Sequence, residues 1–111
     1  DADDATRAAI VAAAAVSVTA SIDEGFGLPP LEALAVGVPA VATAVGALPE
    51  LLPEATLIDP STPDLVDQLA ERIRAELDRP VPESVRARLA AMTWEQHADA
   101  MMALYRRAAS P

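Results

Sequence analysis

Three short apolar runs rich in β-branched residues, Val16–Ala20, Val38–Thr43 and Thr56–Ile58, are each followed by a loop and then by residues with helical spacing. Strands separated by helices cannot close tight hairpins. Their natural arrangement is a parallel sheet with helices packed on both faces. The punctuation supports this division. Glu24-Gly25-Phe26-Gly27 breaks the first strand pattern, Pro29 and Pro30 come next, and Leu31, Leu34 and Ala35 give the following segment an apolar helical face that Gly37 ends. Three strands make half of a doubly wound sheet. The expected fold is therefore α/β, a partial doubly wound (Rossmann-like) parallel sheet, with residues 1–111 forming a single partial domain whose remaining strands would precede Asp1.

The outlying segments read as helices. Asp3 to Ala14 begins with acidic residues and continues with strong helix formers, and it is expected to be a buried helix leading into the first strand. A secretory signal is not a good description of it, because the residues before its apolar run are Asp1, Asp3 and Asp4 with only Arg7 against them; Ala8–Val16 is also too short to span a membrane. Downstream, a short helical turn is expected near Leu48–Leu52, and Asp59-Pro60 stops the third strand. Thr62 is expected to cap a helix with Pro63 at its first position and with Leu65, Val66, Leu69, Ile73 and Leu77 as its buried stripe. On the same helix Arg72, Arg74 and Arg79 alternate with Glu71, Glu76 and Asp78, a pattern of a solvated face. Pro80 and Pro82 lead to a short helix carrying Val85, Leu89 and Met92. Thr93-Trp94-Glu95-Gln96 forms a capping box that opens the last helix. Trp94, Ala98, Met101, Tyr105 and Ala108 share one face of it, with Trp94 as packing anchor and one of Met101 and Met102 in the core.

Charge and composition remove several classes of function. Seventeen acidic residues against eight basic ones give a net charge of −9, which disfavours binding to a nucleic-acid backbone. The absence of cysteine excludes disulfides, thiolate metal sites and cysteine nucleophiles. A single histidine, His97, leaves no histidine pair for a zinc site and is read as a helix-face residue rather than a base. All eight basic residues are arginine. The chain opens at Asp1 without methionine and is expected to be part of a longer protein.

Ligands of parallel sheets bind beyond the carboxyl ends of the strands. That edge carries the loops 21–28 and 43–48 and the Asp59-Pro60 turn. In the first of these, two glycines let a ligand approach the backbone and expose consecutive N–H groups. A residue preceding proline is pushed toward extended geometry, so the next helix is expected to begin near Pro30. Glu32 then falls in its first turn. With Pro29 as the cap there is no N–H for that carboxylate to reach, which leaves it available to a ligand. Glu24 would point into the same crevice. A carboxylate accepts from two donors at once and so matches the vicinal diol of a ribose or hexose. The backbone amides of Gly25 to Leu28, with the helix dipole behind them, would face phosphate. On spacing and residue type alone, a plain structural loop with solvated glutamates is the first reading of these residues and a nucleotide or sugar site the second.

The run Ser21-Ile22-Asp23-Glu24-Gly25-Phe26-Gly27-Leu28-Pro29-Pro30-Leu31-Glu32-Ala33 resembles the Glu-x7-Glu signature of group 1 GT-B glycosyltransferases. The segments 35–43 and 45–50, Leu57-Ile58-Asp59-Pro60 and the Thr93-Trp94-Glu95 helix opening resemble the segments C-terminal to that signature in the same family. The resemblance covers nearly the whole chain and implies the C-terminal half of a GT-B donor domain. It further implies retaining transfer of a sugar from a nucleotide-diphosphate donor without a metal or other cofactor. By it, Glu24 is the catalytic-site residue, contacting hydroxyls of the donor sugar. Gly25, Phe26, Gly27 and Leu28 face sugar and diphosphate through their amides, and Glu32 holds the ribose diol. Glu50 is expected either to shape the donor cleft or to act as a local cap.

The chain also departs from the family pattern. Ala15 stands where an Asp is common before the first strand, and Ala20 where a Pro is common before Ser21. The Arg and Lys that clamp the diphosphate have no counterpart here, and the acceptor domain would be the missing N-terminal partner of this one. The expected partners are thus a nucleotide-sugar donor and that domain, with no nucleic acid and no transmembrane segment, and the expected location is the cytoplasm. The isolated 111 residues are not expected to turn over. The alternative is a non-catalytic nucleotide-sugar-binding or interaction module left from a truncated glycosyltransferase.

Overall fold

A computed structural model describes residues 2–52, 56–77 and 79–109. The elements run α1 (Asp4–Ala12), β1 (Ser17–Thr19), α2 (Leu28–Ala35), β2 (Ala40–Thr43), α3 (Leu48–Leu51), β3 (Leu57–Ile58), α4 (Leu65–Glu76), α5 (Glu83–Ala90) and α6 (Trp94–Ala108). The three strands form one parallel sheet in the order β1-β2-β3. Ser17 pairs with Ala40, Val18 with Val41 and Thr19 with Ala42, and on the other side Ala42 pairs with Leu57 and Thr43 with Ile58. This is the parallel arrangement expected from strands separated by helices.

The central strand shows how the sheet is covered. All four residues of β2 are buried, so both its faces are shielded, with α2 and α4 each packing against it. Leu31, Ala33 and Leu34 of α2 join Val38, Ala40, Ala42, Leu48, Leu52 and Val85 in one core. Small side chains at Ala33, Ala40 and Ala42 let helix and strand approach closely. β1 is an edge strand, and Val18 on it is 46% exposed.

The two ends of α2 are set by glycines. Gly27 is its N-cap in left-handed geometry (φ 77°, ψ 52°), and Leu28, Pro29 and Pro30 form the first turn. The helix therefore begins two residues earlier than the pre-proline argument places it, and Pro29 is not the cap. The first N–H groups of a helix have no intrahelical acceptor, so prolines here lose no hydrogen bond. At the other end Gly37 has φ 85°, its amide donates to Leu34, and the Val38 amide donates to Ala33. This is a Schellman closure, in keeping with the expected stop at Gly37.

Elsewhere several expected burials do not occur. α1 is capped by Asp3, which accepts from the Thr6 amide at 2.7 Å, but none of its residues is buried and Ile10 is 63% exposed. It packs against α2 rather than entering the core. In α4, Leu65, Leu69 and Ile73 are half-buried, while Val66 and Leu77 of the expected stripe are exposed. The buried residue is Glu76, expected on a solvated face, and its carboxylate meets Arg79 at 3.2 Å. Asp78 of that face lies outside the described residues. Thr62 does not cap α4. Its hydroxyl bonds Asp64, which occupies the N-cap position, and Gln68 reaches back to both.

α6 starts as expected, with the Thr93 hydroxyl accepting from the Gln96 amide. None of its residues is buried. Trp94 is 84% exposed and stands perpendicular to the His97 ring, with centroids 6.1 Å apart, so it is no packing anchor among the described residues. Met101 is half-buried and Met102 exposed; neither is core.

Candidate functional site

The carboxyl ends of β1, β2 and β3 share one edge because the strands are parallel, and three loops leave it. The loop after β3 is closed on itself. Asp59 accepts from both the hydroxyl and the amide of Ser61 through one oxygen, and these bonds, the hydroxyl's first, hold its pKa below the ordinary carboxylate value. The loops after β1 and β2 are locked to each other.

Four contacts make that lock. The buried Thr43 hydroxyl hydrogen-bonds the Ser21 carbonyl. The Ala47 amide donates to the Gly25 carbonyl at 3.3 Å. Gly46 (φ 54°) lies so close to the Glu24 carbonyl that a Cβ there would run into it, and a Cβ on Gly27 (φ 77°) would run into the fully buried Leu48 side chain. Both glycines combine a positive φ with a close approach, so any larger residue would be strained twice over. Gly25 differs. Its φ is not positive, and a Cβ built on it meets nothing within 4 Å. Neither conformation nor internal packing calls for glycine at that position.

Glu24 and Glu32 flank this backbone, and each carboxylate is held by one oxygen. The Ser21 hydroxyl donates to Glu24 Oε1 at 2.8 Å, in a half-buried setting. Arg7 Nη1 donates to Glu32 Oε2 at 2.6 Å, reaching across from α1. Because α2 begins at Leu28, Glu32 stands in its second turn and not in the first, and it is not the unengaged carboxylate expected from a Pro29 cap. Among the described residues the other oxygen of each carboxylate takes no protein hydrogen bond, and neither do the amides of Gly25, Phe26, Gly27 and Leu28 donate to protein. The side chains of Phe26 and Leu28 are exposed. Glu50 is exposed in the first turn of α3, whose N-cap position has no side-chain hydrogen bond.

Four residues that shape this edge are not singled out by the sequence: Arg7, Ser21 as a partner of Glu24, Thr43 and Gly46. Ser21 lies three residues before Glu24 and is the one that local spacing signals. Arg7 is 25 residues from Glu32 in the chain, and no periodicity connects them. No helix of the described residues is long and apolar enough to cross a membrane.

Comparison with known proteins gives this arrangement a family. Residues 3–95 match the family described as glycosyl transferases group 1. The chain is 36% identical over 112 residues to an MMP alpha-(1->4)-mannosyltransferase of Mycolicibacterium hassiacum, covering 95% of this chain and 27% of that protein. It is 34% identical over 107 residues to a D-inositol 3-phosphate glycosyltransferase of Mycobacterium avium, covering 91% and 25%. Among solved structures, a sucrose-phosphate synthase from Thermosynechococcus elongatus superposes with a TM-score of 0.68 at 35% identity, over 91% of this chain and 27% of that one. The chain thus spans about a quarter of the length of the relatives it matches. With the parallel α/β sheet, the paired loops at its carboxyl edge and a match over most of the sequence, the chain belongs to the group 1 glycosyltransferases of GT-B fold.

Proposed function

We infer that these residues form the C-terminal portion of the donor-binding domain of a retaining glycosyltransferase, and that the loop 21–28 with the start of α2 receives a nucleotide-diphosphate sugar. Gly25 carries the reading. A glycine with ordinary φ and open space where its Cβ would stand has no internal reason to be glycine, whereas a ligand pressed against the backbone supplies one. The neighbouring unengaged amides of Phe26, Gly27 and Leu28 are suited to phosphate and sugar oxygens at the start of a helix.

The two carboxylates then take different parts. Glu24 directs its unengaged oxygen to hydroxyls of the donor sugar, and Glu32 accepts from the ribose diol. Neither faces phosphate, since like charges would repel. The acceptor side of the cleft and the cations that a diphosphate requires would come from outside these 111 residues, which span about a quarter of those relatives' length.

Gly25→Ala in the full-length protein tests the site. The variant is expected to keep its unfolding midpoint, because its Cβ meets no protein atom, and to bind UDP-glucose or GDP-mannose about tenfold or more weakly by calorimetry, as a methyl displaces the ligand from the amides. Unchanged affinity for the donor that the wild type binds would remove the loop from the site.

A further inference from the structure

Glu32 is held by a cation from α1, a helix that packs on α2 and sets Val11 against the rim of the core. α1 buries none of its residues, yet from its first turn and a half Arg7 extends Nη1 to Glu32 Oε2 at 2.6 Å and Nη2 to Asp4 Oδ1 at 3.5 Å. Both side chains of the Arg7–Glu32 pair are partly solvated, 53% and 38% exposed. An ion pair of that exposure stabilises a fold little. Its geometric effect is larger. A glutamate side chain on a helix surface has three rotatable bonds, and one short charge-assisted hydrogen bond to a planar guanidinium fixes which oxygen is turned away.

We propose that Arg7 is a positioning residue for ribose recognition: it holds Glu32 by Oε2 so that Oε1 is presented, pre-oriented, to a ribose diol. The inference rests on the donor-site reading of Glu32. It assigns Arg7 no contact with the nucleotide. The guanidinium acts through the carboxylate, lowering the ordering entropy that Glu32 would otherwise lose on binding. It also offsets one negative charge beside a site meant for an anionic ligand, within a chain of net charge −9.

The test compares ribose with its dideoxy counterpart on the full-length protein. UDP and GDP are titrated beside 2′,3′-dideoxy-UDP and 2′,3′-dideoxy-GDP, and the ribose preference is read as the ratio of the two affinities. Wild type is expected to prefer the ribonucleotide. Arg7→Ala should reduce the preference roughly fivefold by weakening the ribonucleotide alone, and Arg7→Lys, which keeps a cation in reach, should recover part of it. The unfolding midpoint of both variants should stay close to wild type. Glu32→Ala is the control that removes the preference. If Glu32→Ala abolishes it and Arg7→Ala leaves it intact, the role of Arg7 is overturned while the site stands. If Arg7→Ala weakens both nucleotides equally, Arg7 acts on phosphate or on the fold, and the proposal fails. A wild type with no ribose preference, or a Glu32→Ala protein that keeps the wild-type preference, would instead overturn the donor-site reading itself.

Discussion

α2 and α6 are both amphipathic helices, and only α2 buries its apolar face. Pro30, Leu31, Ala33 and Leu34 of α2 are buried, whereas no residue of α6 is, and Trp94 at its start is 84% exposed. Topology separates them. α2 is the crossover between two paired parallel strands, entered through Gly27 and left through Gly37, so the chain has no choice but to lay it across the sheet. α6 comes after the last packed helix, and no strand among the described residues draws it back. An apolar stripe says that a helix needs a partner; the connections at its two ends determine whether it finds one within the same residues.

The contrast can be broken at its firm end first. Gly46→Val should have the largest effect. The branched side chain must adopt φ 54° and displace the Glu24 carbonyl, at about 3–5 kcal/mol, measured by chemical unfolding. Stability within about 1 kcal/mol of wild type would mean that the two loops are not locked. A matched pair of truncations comes next. Leu48→Ala empties a fully buried site below Gly27 and should destabilise by about 2–5 kcal/mol. Trp94→Ala removes a larger side chain and should change the stability of these 111 residues by no more than about 0.5 kcal/mol. Equal losses would show that α6 is packed after all.

The smallest effect distinguishes the caps of the two solvent-facing helices. Asp3 caps α1 with a carboxylate whose pKa the Thr6 amide, then its hydroxyl, hold below the ordinary 3.8. Because the folded value is the lower one, the cap contributes fully above pH 3.8 and is lost as pH falls through the folded value. Thr93 caps α6 with a hydroxyl, and the Glu95 carboxylate beside it is held below its ordinary pKa by its own backbone amide and then by that hydroxyl. Amide exchange at Thr6, whose acceptor is itself the titrating carboxylate, should lose more protection in acid, corrected for its intrinsic rate, than that at Gln96, whose acceptor is a hydroxyl.

Legibility in one dimension obeys the same division. The parallel sheet, the Gly37 stop and the loop carrying Glu24, Gly25 and Gly27 are local signals: strand spacing, a left-handed glycine, turn residues. The start of α2 is displaced from its expected place because a local rule about residues before proline yields to Gly27, whose left-handed geometry feeds the chain straight into a helical turn. The charge pattern of α4 puts Glu76 in solvent, but the chain after the helix turns back there, and Glu76 is buried in a hollow it shares with Pro39, Ala40, Pro80, Val81 and Pro82. Most of all, the state of Glu32 depends on Arg7, a residue brought to it by the packing of α1 on α2. Such a partner is invisible until the helices are placed.

The proposed division of work between Glu24 and Glu32 is open to steady-state kinetics of the full-length protein with varied nucleotide-sugar donor. Glu32→Gln is expected to raise the donor KM with little change in kcat. Glu24→Gln is expected to lower kcat by about 100-fold or more while the KM moves little, as contacts to the reacting sugar that strengthen in the transition state would require. Wild-type kinetics in both variants, or the two effects exchanged, would contradict the assignment.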